Sequence, residues 1–346
     1  MKLKRIHIDS YKVFQNFEID FCDEKSDTPQ DIIVLAGVNG TGKTTLLEEV
    51  IHKRIAGDID IPGGVIKDYN YASMRLPPHQ SVLNDPTTAI PVGKYLPVGM
   101  DTTNLEEYVI RYVKKMVFEN GKTSKAGYEQ IQHLIDEVFA GMGLHIYFKG
   151  LTQNEELLFT NGNISEFGTD GLSSGEKQLL GKFFPLFAEN VENTIILIDE
   201  PEESLHPAWQ IYVLPILRRC AKKNNCQFIL ATHSPQIISS AHNEELRLLA
   251  FDKNNHVKAE RCNEGPYGWR VEDVLREILG VTHFRVPEVD EQLNILRDKI
   301  QAKLYDTDEF IHLWTELEHT LGYSDSDLVL MRMEIARQRK KDEENQ

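Results

Sequence analysis

Three short apolar runs stand out in a chain that elsewhere mixes apolar and polar positions. They are Ile32-Ile33-Val34-Leu35-Ala36 after Asp31, Ile195-Ile196-Leu197-Ile198 after Thr194, and Phe228-Ile229-Leu230-Ala231 after Gln227. Each is apolar on both faces, and the first two are rich in β-branched residues, which predicts strands of a buried parallel sheet. The chain opens differently. Leu3, Ile6, Ile8, Phe14, Phe17, Ile19 and Phe21 alternate with polar residues, the pattern of antiparallel strands. Leu105, Tyr108, Val109, Tyr112, Val113 and Met116 recur at helical spacing and predict a helix over 103–119, with a second over 126–141. Strands are expected at 144–148 and 157–159. Residues 57–101 hold many Gly and Pro residues and no steady period, and read as an irregular excursion. From about Gly265 the pattern becomes wholly helical, with helices expected at 271–279, 289–304, 308–321 and 325–339. Pro287 and Gly322-Tyr323-Ser324 punctuate them, and Leu293, Leu296 and Ile300 form one apolar face. The fold class is therefore α/β, with an antiparallel β subdomain, a helical insertion and a helical C-terminal extension.

The segments at the C-terminal ends of the apolar runs carry the chemistry. After the first comes Gly37-Val38-Asn39-Gly40-Thr41-Gly42-Lys43-Thr44-Thr45, then the apolar-rich Leu46-Leu47-Glu48-Glu49-Val50-Ile51. Strand, glycine loop and helix together make the setting of a phosphate-binding loop. Its glycines let backbone N–H groups turn inward around phosphate oxygens, and the helix N-terminus adds partial positive charge. Lys43 is expected on the β- and γ-phosphates of ATP, Thr44 on Mg²⁺, and Thr45 near the α-phosphate. Gly37, Asn39, Gly40, Thr41 and Gly42 complete the cradle. The second run ends in Asp199-Glu200-Pro201. Carboxylates at the C-terminal end of a parallel strand sit where α/β proteins place their chemistry. Asp199 is expected to hold Mg²⁺, and Glu200 to polarise the attacking water. The third run leads to Thr232-His233-Ser234-Pro235, whose imidazole is placed to sense the γ-phosphate. His206 is read as ordering a turn.

Leu172-Ser173-Ser174-Gly175-Glu176-Lys177-Gln178 precedes an apolar run over 179–187 and reads as a well-capped helix start, a place that also suits an anion. The order of these motifs resembles the ABC-type ATPase superfamily, and this segment resembles its signature. The second Ser and the Glu-Lys-Gln ending depart from the transporter form and are similar to the SMC, RecF and OLD branch. The opening 2–12 segment and Thr232-His233-Ser234-Pro235 are similar to that branch too. The resemblance covers about residues 1–55 and 140–255. It implies that two heads sandwich two ATP molecules, with Ser173 and Gly175 contacting in trans the γ-phosphate held by the Lys43 of a second copy. It further implies that Tyr11-Lys12 lies near the nucleotide, and that Ser204-Leu205-His206 is the loop crossing the dimer contact. The glutamine that the family places near Mg²⁺ and the water falls by spacing at Gln80.

The remaining features bound these expectations. With 346 residues the chain is long enough for one ATPase head over 1–265, including an insertion over about 57–170, and a helical module over 266–346. The net charge of −16 argues against a broadly basic nucleic-acid surface. Cys22, Cys220, Cys226 and Cys262 lack metal-site spacing and read as reduced thiols in a cytoplasmic protein. No apolar run is long enough for a membrane span. The span between cradle and signature holds no sustained heptads, so it resembles a compact RecF- or OLD-type head, and the helical C-terminus leaves no room for an attached nuclease. Such compact heads look most like the ATPase subunits of bacterial anti-phage systems of the Septu and retron types. That resemblance implies a separate nuclease or toxin as effector, with nucleic acid reached through the complex. A RecF-like repair factor that binds DNA directly is the alternative, and a transporter subunit a third reading. The C-terminal helices either cap the head or dock a partner.

Overall fold

The computed structural model describes residues 2–52, 104–162, 166–188, 195–203 and 205–344, with strand residues 64–65, 69–70 and 95–96. The expected excursion at 57–101 lies mostly outside the described residues. The chain begins with β1 (Lys2–Leu3) and a hairpin of β2 (Arg5–Tyr11) and β3 (Phe14–Asp20), then β4 (Ile32–Ala36) and a π-wound helix α1 (Thr45–His52). Short strands β5 (Gly64–Val65), β6 (Tyr69–Asn70) and β7 (Tyr95–Leu96) precede helices α2 (Asn104–Lys114), widened at its end over Lys115–Glu119, and α3 (Ser124–Phe139). The hairpin of β8 (Tyr147–Leu151) and β9 (Leu157–Thr160) leads to α4 (Ser174–Ala188) and β10 (Ile195–Asp199). After these come α5 (Pro207–Gln210), α6 (Val213–Asn224), β11 (Gln227–Ala231) and α7 (Pro235–Ser239). Strands β12 (Leu246–Phe251) and β13 (Val257–Glu260) and helix α8 (Val271–Glu277) complete this part of the chain.

The three apolar runs are neighbours in one six-stranded sheet of order β13-β12-β4-β11-β10-β7. The ladders from β12 to β7 are parallel, and β13 alone runs antiparallel. Successive side chains of a strand point to opposite faces, so each run feeds two cores. Ile32, Val34, Ala36, Ile196, Ile198, Phe228 and Leu230 pack toward α2, α3, α4 and α6. Ile33, Leu35, Ile195, Leu197, Ile229 and Ala231 pack toward α1 and the β2–β3 hairpin. Every residue of β4, β10 and β11 is buried. Burial of each large aliphatic side chain contributes about 1.5–3 kcal/mol, which is why the runs read so clearly in the sequence. The register aligns Asp199 with Ala231 and Ala231 with Leu35, so the three strands end at one edge. That edge carries the site.

The second predicted strand pair is displaced. Pairing begins at Tyr147 rather than at 144, and a side chain of α3 rather than β9 satisfies the Ile146 carbonyl and the Phe148 N–H. Gln132 of α3 donates to the Ile146 carbonyl at 3.0 Å and accepts from the Phe148 N–H at 2.6 Å.

The chain divides into two compact units, Met1–Gly280 and Val281–Gln346. The boundary expected from composition, 265/266, falls earlier. Residues beyond it still belong to the first unit: Gly268 N–H donates to Ser239 O at 2.9 Å, Tyr267 stacks on His242 at 4.4 Å, and α8 packs on α7. The second unit comprises α9 (Pro287–Gln301), α10 (Asp308–Leu321) and α11 (Ser326–Glu344). Its own core contains Leu293, Leu296, Ile300, Phe310, Leu317 and Leu328. Among the described residues no helix is long and apolar enough to cross a membrane.

Candidate nucleotide site

The glycine loop lies between the C-terminal end of β4 and the start of α1. Gly37, Gly40 and Gly42 have φ of 140°, 85° and 82°. At Gly42 the demand is double, because a Cβ there would also stand 2.7 Å from Val13 Cγ2 and 2.8 Å from Phe14 Cζ. The tip of the β2–β3 hairpin thus braces the loop. Tyr11 Oη and Lys12 Nζ donate to Glu49 of α1 at 2.6 and 2.5 Å, which ties the hairpin to the helix that follows the loop. Thr41 is buried and its hydroxyl donates to Val38 O at 2.9 Å. Asn39, Gly40 and Thr44 are exposed, and Thr45 is half-buried.

Lys43 is buried and folds back over its own loop, donating to Gly37 O at 2.8 Å and Val38 O at 3.1 Å. Burial pushes its ammonium down to about 8, against the pull of Asp199, Glu200 and Glu202. A buried cation held by two carbonyls alone is poised for a stronger anionic partner. The Asp199 carboxyl is raised by burial, although a hydrogen bond from Thr44 opposes this. Its Oδ1 is buried without a hydrogen-bond partner among the described residues. An orphaned buried carboxylate oxygen beside an exposed threonine hydroxyl fits the oxygen-donor preference of Mg²⁺.

Glu200 takes a left-handed backbone, φ 46°, a conformation that costs energy in a residue other than glycine and recurs at functional sites. Its N–H still donates to Ala231 O at 2.9 Å, so the turn begins on the sheet ladder. The side chain is partly open to solvent, and its Oε1 lies 3.9 Å from His233 Nε2. Burial, then Lys43, lower the His233 pKa, so the ring tends toward its neutral form. Lys43, Thr44, Asp199, Glu200 and His233 therefore converge at one sheet edge.

Ser173 and Gly175 stand at the start of α4. Ser173 N–H and Oγ both donate to Glu176 Oε2 at 2.7 Å, and Glu176 N–H donates back to Ser173 Oγ at 3.3 Å, a reciprocal capping box. Ser173 is exposed. Gly175 lacks room for a side chain, since a Cβ would lie 2.7 Å from Trp209 Cζ3. His206 caps α5 by accepting from Ala208 N–H at 3.2 Å, the turn-ordering role expected of it. Gln80 and Ser204 lie outside the described residues.

Three participants carry no signal in the sequence. Glu202 Oε1 accepts from Thr232 Oγ1 at 2.7 Å, His233 N–H at 2.7 Å and Ser234 N–H at 2.8 Å. Lys182 of α4 donates to Pro201 O at 3.0 Å and Glu203 O at 2.5 Å, tying the signature helix to the loop after β10. Gln210 accepts from Ser234 Oγ at 2.6 Å. Glu202 sits in a run of carboxylates with nothing local to single it out, and its partners are about thirty residues away.

Residues 117–239 match a family model described as "AAA domain, putative AbiEii toxin, Type IV TA system". The match takes in the signature, the Asp199-Glu200 pair and His233, while the glycine loop precedes it. The Septu protein PtuA of Bacillus thuringiensis is 26% identical over 145 residues, 41% of this chain and 36% of that protein. The retron Ec83 probable ATPase of Escherichia coli is 30% identical over 196 residues, 52% of this chain and 34% of that protein. Part of this chain is thus similar to the Septu protein PtuA and to a retron probable ATPase. It spans about a third of the length of these curated relatives. An SMC head domain from Thermotoga maritima aligns with 76% of this chain and 100% of that chain at 16% identity and a TM-score of 0.46. The reading as a P-loop nucleotide site rests on the parallel sheet, the glycine loop and the residues that meet at the sheet edge.

Proposed function

We propose that this chain binds ATP with Mg²⁺, hydrolyses it in a site shared between two copies, and so gates a separate nuclease or toxin in anti-phage defence. The observation that carries the chemistry is the convergence of Lys43, Asp199, Glu200 and His233 at the ends of three parallel strands. The triphosphate replaces Gly37 O and Val38 O as the partner of the Lys43 ammonium. Thr44 and Asp199 hold Mg²⁺, which supplies charge neutralisation at the phosphate oxygens. Glu200 accepts the proton of the attacking water, and His233 faces the γ-phosphate. Ser173 and Gly175 of a second copy close the other side, the serine exchanging its bond to Glu176 for one to phosphate. Defence as the setting, and a nuclease or toxin as the effector, rest on the resemblance to Septu- and retron-type subunits, which the similarity to PtuA and the retron Ec83 probable ATPase supports.

A direct DNA-binding role is less well supported. The cations near the N-terminus are committed to carboxylates: Lys2 pairs with Asp31, Lys4 with Asp27, and Arg5 with Asp20 and Asp27.

Site sharing is tested by complementation. Ser173→Arg and Lys43→Ala chains should each be inactive as purified homogeneous samples. Mixed, they should regain ATP hydrolysis, because in a mixed dimer the intact Lys43 of one copy meets the intact Ser173 of the other. A mixture as inactive as its components, from chains that still fold, would contradict a shared site.

A further inference from the structure

Resting on the ATPase reading, we propose that Glu202 is a positioning residue: it fixes the His233 loop against the Glu200 turn, and so sets the distance between the two groups that face the reacting phosphate. Glu202 is the second residue after Glu200 in the loop beyond β10. That loop is a tight turn, with Glu203 N–H bonded to Glu200 O at 3.0 Å and Leu205 N–H to Glu202 O at 2.8 Å. From it the Glu202 side chain reaches across to the loop after β11. One oxygen, Oε1, gathers three donors there: the Thr232 hydroxyl and the main-chain N–H groups of His233 and Ser234. Burial pushes the Glu202 carboxyl up while these donors pull it down, and in either form three hydrogen bonds on one oxygen leave the loop little freedom. The main chain of His233 is thus bound to a residue only one proline away from Glu200.

A loop brace alone has no need of a charge here. The other oxygen, Oε2, is buried with no hydrogen-bond partner among the described residues, which is costly for a carboxylate. The surroundings give a reason for the placement. The field of Glu202 reaches both Lys43 in the phosphate loop and Lys182 on the signature helix. Lys182 in turn grips Pro201 O and Glu203 O, the carbonyls on either side of Glu202. Glu202 is therefore placed where the phosphate loop, the signature helix, the Glu200 turn and the His233 loop meet.

The test is steady-state Mg-ATP hydrolysis by the full chain and its Glu202→Ala, Glu202→Gln, Thr232→Val, His233→Ala and Glu202→Ala/His233→Ala variants. Misplacing a reacting group by about 1 Å costs about 10²-fold. Glu202→Ala should lower kcat on that order and leave KM within about threefold. Glu202→Gln keeps one oxygen for the three donors but removes the charge, so it should recover only part of the loss. The double variant should be no slower than His233→Ala, since both substitutions remove the same arrangement. Thr232→Val removes one donor and leaves the carboxylate in place. It should lower kcat severalfold without moving KM, and it decides the matter should Glu202→Ala fail to fold. Wild-type kcat in Thr232→Val and in a folded Glu202→Ala, or losses that multiply in the double variant, would overturn the assignment. A wild-type chain that does not hydrolyse ATP would instead remove the ATPase reading on which the assignment rests.

Discussion

At the scale of single residues, the site divides into groups fixed by the chain and groups fixed by the fold. Lys43 and Thr44 come directly after the glycine loop, and Asp199 and Glu200 end a strand, so spacing alone locates them. Glu202 becomes visible only when the loop after β11 is brought against it. Glu200 is the residue whose role is most directly measurable. Its carboxylate faces His233 in an open part of the site and makes no structural bond that Gln would break. Glu200→Gln should therefore leave nucleotide affinity near wild type and lower the hydrolysis rate by about 10²–10⁴-fold, the usual contribution of a general base. Single-turnover hydrolysis alongside nucleotide binding would separate the two effects. Wild-type turnover would remove Glu200 from its role.

At the scale of elements, helix ends carry much of the specificity. α4 begins with a capping box whose acceptor, Glu176, occupies the same Ser173 donors that a phosphate would take. The motif is legible as a cap, and a cap is also what an anion site looks like. α11 begins with a different device. Asp325 Oδ1 accepts from the Asp327 and Leu328 N–H groups at 3.1 and 3.4 Å, while Oδ2 accepts from Arg285 at 2.7 Å. Burial raises the Asp325 pKa, but the Arg285 bond and the backbone donors together outweigh it, and the net shift is downward. A carboxylate whose folded pKa lies below its unfolded value stabilises above the unfolded pKa, and that stability is lost as pH falls through the folded one. The second unit should therefore lose stability below about pH 4. Asp325→Asn, which preserves the cap and removes the charge, should flatten that acid dependence. Asp325→Ala should cost about 1 kcal/mol more than Asn at neutral pH through loss of the cap. Urea melts of the three chains across pH provide the measurement.

At the scale of the whole molecule, the two units have separate cores. The apolar face read from Leu293, Leu296 and Ile300 is the face that packs, joined by Phe310, Leu317 and Leu328. A core this small supplies at most about 3–5 kcal/mol. Residues 281–346 expressed alone should give a cooperative, helical melt by far-ultraviolet circular dichroism. In that segment Leu296→Ala should remove about 2–5 kcal/mol and leave it largely unfolded at room temperature. A non-cooperative melt of the parent segment would show that its helices do not make an independent unit.

The sequence by itself determined the three buried central strands, the phosphate loop and the carboxylate pair, because each depends on neighbours in the chain: unbroken apolar runs, glycines in a turn, a lysine at fixed spacing. Only the tertiary structure decided which strands lie side by side, where the first unit ends, and that Glu202 and Lys182 tie the loops of the site together. Those facts depend on hydrogen bonds between residues about twenty to thirty positions apart, or on strand neighbours separated by most of the chain. The order in which strands pair is set by how two faces of a sheet are buried at once, and local pattern contains no record of it.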